Sequence, residues 1–187
     1  MKVLIACEES QTVCKAFRAK GHEAYSCDIL DCSGGHPEWH IKGDCRDAIR
    51  SRQWDLIIIH TPCTYTALCG NRWYYNSPLR IEGISLTKEV YELAKSVCDK
   101  VVLEQPKTIM QKYIGKRSQS IQPYEFGHGE TKETWLWVNG LPLLKPTNEV
   151  PGRENRIWKM PPGPERAKLR SKTYQGIADA MADQWSN

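Results

Sequence analysis

No apolar stretch in this 187-residue chain approaches the roughly 20 residues that a membrane-spanning helix needs, which excludes a helical span. There is no internal repeat and no low-complexity tract, so one domain with its own core is expected. The first turn, Cys7-Glu8-Glu9-Ser10-Gln11, contains no glycine. A Gly-x-Gly-x-x-Gly phosphate cradle is therefore absent, and two glutamates in its place would repel a pyrophosphate; this argues against NAD and ATP as cofactors. No two of the eight cysteines have the C-x-x-C spacing of a zinc knuckle. Cys27, Cys32, His36, His40 and Cys45 are spaced irregularly, and no metal site is expected from them. His36 and His40 read instead as loop or surface histidines near a site.

The composition is that of a soluble globular protein. The opening residues 1–7 are too short for an export signal and read as a first strand. Several cysteines (Cys7, Cys14, Cys98) fall within expected core elements, so reduced thiols in the cytoplasm are expected rather than a disulfide framework. The whole chain carries +4, but charge is uneven: residues 145–172 hold eight basic and three acidic side chains, a net +5, leaving the remainder slightly acidic.

Hydrophobic patterning predicts strands at 2–7, 22–28, 39–42, 54–60, 100–104 and 134–138. Helices are predicted at 12–20 (stopping at Gly21), 46–52, 82–98, near 108–113, and at 176–185. Residues 54–60 are apolar on both faces, as a central parallel strand should be. Strands alternating with helices imply an α/β fold, a doubly wound, mostly parallel, Rossmann-like sheet forming a single domain. The basic, proline-rich stretch of about 141–172 shows no clear periodicity.

Ligands of such sheets sit beyond the carboxyl ends of the strands. Those ends are Cys7-Glu8-Glu9, Asp28, Asp44, Pro62-Cys63 and Glu104-Gln105-Pro106, each polar or reactive. Asp28 stands where such folds bind ribose hydroxyls, although a turn acid or cap is the plainer reading. Asp44 reads equally as an acceptor for an adenine amino group or as an N-cap. Glu8 and Glu9 suit a cationic adenosyl ligand such as S-adenosylmethionine. Cys63, just past a strand and oriented by Pro62, is the candidate nucleophile, expected to reach the thiolate near neutral pH if a cation or helix N-terminus is close. Glu104, leaving a fully apolar strand, is expected to be desolvated, its pKa raised, and able to donate to a ring nitrogen; a salt bridge to a nearby lysine is the alternative. Arg72 and Trp73, with Asn71, Tyr74 and Tyr75, stack on a base or simply pack on the next helix.

These residues resemble the cytosine-C5 DNA methyltransferase family, in particular short phage- and prophage-type members without a full target-recognition domain. Thr61-Pro62-Cys63 is similar to that family's Pro-Pro-Cys motif, and Glu104-Gln105-Pro106 to its Glu-Asn-Val/Pro motif. The run from Tyr174 to Met181 resembles its C-terminal Gly-Asn-Ala-Val motif, and Thr131-Lys132-Glu133-Thr134 is a weak echo of its Gln-x-Arg-x-Arg motif. The family's glycine-rich first motif is replaced by Ala6-Cys7-Glu8-Glu9-Ser10. The resemblance implies a methyltransferase fold and S-adenosyl-L-methionine as cofactor. That cofactor would be held by Cys7, Glu8, Glu9, Ser10, Asp28, Ile29, Asp44, Cys45, Thr61, Pro62, Gln175 and Ile177. It implies catalysis by Cys63 and Glu104, a DNA substrate met by Arg72, Trp73 and Lys132, and a place in the (host) cytoplasm. Two alternatives stay open: the same chemistry on a nucleotide or RNA, and an inactive nucleic-acid-binding decoy. The Asn/Asp-Pro-Pro-Tyr/Phe signature of amino-methyltransferases is absent.

Overall fold

A computed structural model describes residues 1–163 and 165–186. Its centre is a seven-stranded sheet in the order β3-β2-β1-β4-β5-β7-β6. The strands are β1 (Lys2–Ala6), β2 (Glu23–Asp28), β3 (His40–Lys42), β4 (Leu56–Ile59), β5 (Val101–Pro106), β6 (Gln119–Ile121) and β7 (Thr134–Asn139). The first five are parallel; β7 runs antiparallel to both β5 and β6. The fold is thus a mostly parallel, Rossmann-like α/β sheet with helices on both faces.

The helices are α1 (Thr12–Ala19), α2 (Cys45–Arg50), α3 (Asn71–Tyr74), α4 (Pro78–Val97), α5 (Gln111–Ile114), α6 (Arg156–Lys159), α7 (Arg166–Ser171) and α8 (Gln175–Gln184). Alternation along each strand feeds two cores. Val3, Ile5, Leu56, Ile58 and Val102 face α1 and α8, which pack on each other. Leu4, Ala6, Ile57, Ile59, Val101 and Leu103 face α2 and α4. All four residues of β4 are buried, which is why its sequence is apolar without alternation.

Several elements depart from the sequence prediction, among them α3, which was not expected. Helix α4 begins four residues before the expected 82, at Pro78 in the first helical turn behind an extended Ser77. That is the placement proline favours, because its missing N–H would be unpaired there anyway. The three-residue β6 is too short to register as a pattern. Among the described residues of the basic stretch the helices are the short α6 and α7, and Leu144 and Ile157 are its buried anchors.

Register decides what shares an edge. Ala6 lies opposite Cys27 and Ile59, and Ile59 opposite Leu103. The next residue of each strand therefore emerges in one row: Asp28, Cys7, His60 and Glu104. Because β7 is reversed, with Pro106 opposite Thr134, the segment entering it brings Lys132 to the same edge.

Helix α8 is seated by a close approach. A β-carbon on Gly176 would overlap the carbonyl oxygen of Phe126, while its N–H donates to Nε2 of His128 at 3.0 Å. Helix propensity alone would make Gly176→Ala stabilising by about 0.5–1 kcal/mol. The close approach predicts the reverse sign, a lower thermal midpoint by calorimetry; an unchanged or raised midpoint would refute it.

Candidate active site

The ends of β4 and β5 are braced by one buried side chain. Nε2 of Gln105 donates to the carbonyl oxygen of Thr61 at 2.6 Å and lies 3.0 Å from its hydroxyl. That hydroxyl is also 3.0 Å from Oγ1 of Thr87 on α4. Beyond the brace the chain turns: the N–H groups of Thr66 and Ala67 both donate to the carbonyl of Cys63. The same loop is stitched to the residues after β5, with Leu68 N–H on the Lys107 carbonyl and Thr108 Oγ1 and Ile109 N–H on that of Thr66. Cys63 and Glu104 are thereby fixed on adjoining strand ends.

The electrostatics overturn two expectations. Glu104 is not raised. Burial pushes its carboxyl upward, but Nδ1 of His60 at 3.0 Å, together with the charges of His60 and Lys132, holds it below the usual carboxylate range. It is an anion in an ion pair, with His60 as the partner where a lysine was the alternative. Cys63 is not a resting thiolate either. Burial and the neighbouring Glu104 charge push its thiol up to about 11, with Lys132 opposing too weakly to reverse this. His60 itself is raised: burial works against its charge, but Glu104 and, across the first turn, Glu8 outweigh it. Lys132 is lowered by burial against the pull of Glu104 and Cys63, and its Nζ donates to the carbonyl of Lys172 at 3.1 Å.

The expected cofactor residues divide. Glu8 is 5 % exposed, and its two carboxylate oxygens accept the N–H groups of Val13 and Cys14 at 2.7 and 3.2 Å. It caps α1 from inside, so of the acidic pair only Glu9 is left to meet a cation. Asp44 is an N-cap bound to Arg46, with Arg46 N–H at 2.8 Å and its guanidinium at 2.5 Å, which pulls the carboxyl down to about 2. Of the two even expectations for Asp44, the N-cap is the one observed. Thr61 is buried in the Gln105 and Thr87 bonds, and Ile177 is buried in the core against α1, so neither is free to touch a ligand. Gln175 is exposed and donates to Asp179. Pro62 is exposed at the edge, and Ser10 is half-buried with its hydroxyl 3.2 Å from that of Thr12. Asp28 is half-buried, accepting Leu30 N–H at 3.0 Å, beside Ile29, which is 72 % exposed.

Without glycine, the first turn takes left-handed backbone at Cys7 (φ 62°) and Gln11 (φ 57°), conformations that cost an L-residue strain. Gln11 repays this through its side chain, which bonds both the N–H and the carbonyl of His36 and so lashes the loop after β2 over the turn. Gly34 fits there because a β-carbon would meet Gln11 at 2.5 Å. His36 stacks on Trp39, and His40 bridges Ser26 and the Leu30 carbonyl, so both histidines are structural. The Cys7 thiol, raised by its hydrogen bond to Cys45 and by burial, holds the buried Cys45 against the turn.

Arg72 and Trp73 lie on α3, the guanidinium 5.3 Å from the ring centroid, and Trp73 is 74 % exposed rather than packed on α4. The basic stretch returns to the same edge: Arg170 Nη2 is 3.9 Å from Sγ of Cys69, and the Lys172 carbonyl holds Lys132. Sequence reading missed His60 and Gln105 as site residues. Their signal was position, one residue before Thr61-Pro62-Cys63 and one after Glu104, at strand ends otherwise given over to reactive groups.

No family model and no curated protein matches the chain. Among solved structures, the bifunctional kinase-methyltransferase WbdD is similar over 80% of this chain and 37% of its own, with 15% identity and a TM-score of 0.45. A second WbdD structure is similar over 84% and 40%, with 14% identity and a TM-score of 0.45. Monomeric WbdD is similar over 80% and 38%, with 16% identity and a TM-score of 0.44. The chain spans about two fifths of the length of these structures or less.

A thiol near pH 11 is mostly protonated at neutrality, so alkylation of the Cys63 peptide by iodoacetamide is expected to keep accelerating up to pH 10. Lys132→Met removes a cation that lowers Cys63 and should slow the reaction at pH 9. A rate that levels off by pH 8, or one indifferent to Lys132, would contradict this electrostatic picture.

Proposed function

We propose that this chain methylates carbon 5 of cytosine in DNA through a covalent bond to Cys63. The observation that carries the reading is Cys63 and Glu104 fixed on adjoining strand ends by the Gln105–Thr61 brace, with Lys132 beside both. Bound S-adenosylmethionine would supply an electrophilic methyl group for C5. The residues at this edge fit it: Glu9 is the acid left for its cationic end, while Asp28 and the exposed Ile29 offer an acceptor and an apolar face for an adenosyl group. No glycine nest competes for phosphate there.

The chain's own residues then have distinct tasks. Lys132 is the cation beside Cys63, and its charge favours the thiolate that forms when the thiol proton passes to water. The Cys63 sulfur adds to C6. Glu104 faces the N3 and amino edge and stabilises the charge that develops there. On a duplex the base must leave the stack to reach this edge, and the exposed Trp73 with Arg72 offers a stacking surface. Arg166, Lys168, Arg170 and Lys172, in and beside α7 next to the site, suit a phosphate backbone. A second reading, the same chemistry on a nucleotide or RNA, is favoured by the small size of the 141–172 segment, which holds few side chains for base readout.

Incubation of DNA with methyl-labelled S-adenosylmethionine, followed by nucleoside mass spectrometry, tests the reading. The wild type is expected to yield 5-methylcytosine, Glu104→Gln about 10²–10³-fold less, and Cys63→Ala at least about 10⁴-fold less. Equal transfer by Cys63→Ala would sink the covalent mechanism. Methylation of dCMP or RNA but not duplex DNA would select the second reading.

A further inference from the structure

The imidazole of His60 is a buried titratable group beside Glu104 that this reaction scheme leaves without a task. Its Nδ1 lies 3.0 Å from Oε2 of Glu104, with both side chains about nine-tenths buried or nearly so (10 % and 15 % exposed). Its Nε2 is shut from solvent and has no hydrogen-bond partner among the described residues. An orphaned buried polar atom costs about 1–3 kcal/mol, which packing alone would not retain. The charged and titratable groups facing the ring are Glu104 from β5, Glu8 from the first turn and Lys132 from the segment entering β7, with Cys63 three residues on in its own loop.

Glu104 alone cannot meet the demand the chemistry makes of it. Addition at C6 pushes an electron pair onto N3, which then takes a proton, yet Glu104 rests as an anion. We propose that His60 and Glu104 hold one proton between them, and that His60 is the store from which Glu104 protonates N3 of the base. This rests on the C5-methylation reading. As the S–C6 bond forms, the C5=C6 pair shifts to C4=C5 and the C4=N3 pair moves to N3. The Nδ1 proton of His60 passes to the Glu104 carboxylate, and the N3–H bond forms as that new Glu104 O–H bond breaks, leaving His60 neutral and Glu104 again an anion. When the C5 proton has left to water and the C6–S bond breaks, the N3 proton returns by the same two atoms. Glu8, facing the ring from the other side, favours the imidazolium while it waits. His60 touches no substrate atom in this scheme; it is a positioning and proton-holding residue.

His60→Asn is the discriminating variant: its amide can still donate to Glu104 but has no proton to surrender. Two measurements decide. The first is methyl transfer to duplex DNA across pH 6–10, with kcat and KM separated. The expected result is kcat lowered about 10²-fold with KM for DNA little changed. The wild-type fall in activity at high pH, where the shared proton is lost, should also disappear. The second is a proton NMR titration of the His60 ring in the wild type and in Glu104→Gln, which needs no activity. The His60 pKa is expected above the ordinary histidine value in the wild type and lower in the variant. A His60→Asn enzyme with wild-type kcat and pH profile overturns the proposal, as does a His60 titration indifferent to Glu104. Absence of transfer by the wild type itself would instead defeat the C5 reading, and the titration would then judge the shared proton alone.

Discussion

The reactive edge depends on one buried amide. Gln105 spans from β5 to β4 and donates to the carbonyl and hydroxyl of Thr61, and Thr61 in turn is tied to Thr87 on α4. Each of these bonds is worth only about 1 kcal/mol net, but breaking one would strand a buried polar group at greater cost. The brace therefore acts as a geometric constraint more than as a source of stability. It sets the height of His60 against Glu104 and the direction in which the chain leaves toward Cys63. Parallel register does the rest, delivering Asp28, Cys7, His60 and Glu104 in a single row.

That row concentrates charge where water is scarce. Glu8, His60, Glu104 and Lys132 are two acids and two bases; His60 is shifted by the other three, and Glu104 by His60 and Lys132. Burying ions is costly unless they are paired. Here the pairing between His60 and Glu104 is direct, and Glu8 is steadied by the amides of α1. The same arrangement keeps Cys63 quiet. A carboxylate next to a desolvated thiol disfavours the thiolate, and the Lys132 charge offsets this only in part. A thiol that is unreactive at rest suits a chain with eight free cysteines.

Much of this was legible in the residues. The continuous apolar run 56–59 announced the central strand, and the polar character of each strand end announced the edge that carries the site. The reversal of β7 was not legible, because Thr134–Asn139 reads the same in either direction. The first turn misled in a specific way: two adjacent glutamates look like a cation site, but backbone curvature at Cys7 and Gln11 turns Glu8 inward to α1. Asp44 was an even choice on sequence, and the Arg46 N–H that it accepts shows the N-cap. The Glu104 expectation failed because a pKa depends on partners across strands, and His60 is 44 residues away in sequence. The basic stretch could be read for charge but not for shape, since its short helices are held by contacts to the site rather than by their own periodicity.

The central claim, that Cys63 bonds to the pyrimidine during C5 methylation, is tested most directly by trapping the adduct. DNA carrying 5-fluorocytosine should arrest the reaction after methyl transfer, because fluorine cannot leave C5 as the proton does and the C6–S bond then persists. Intact-protein and peptide mass spectrometry of the wild type with this DNA and S-adenosylmethionine should show one oligonucleotide attached at Cys63. An adduct on another residue, or 5-methylcytosine formation from normal DNA with no trapped species from the fluorinated one, would contradict the account.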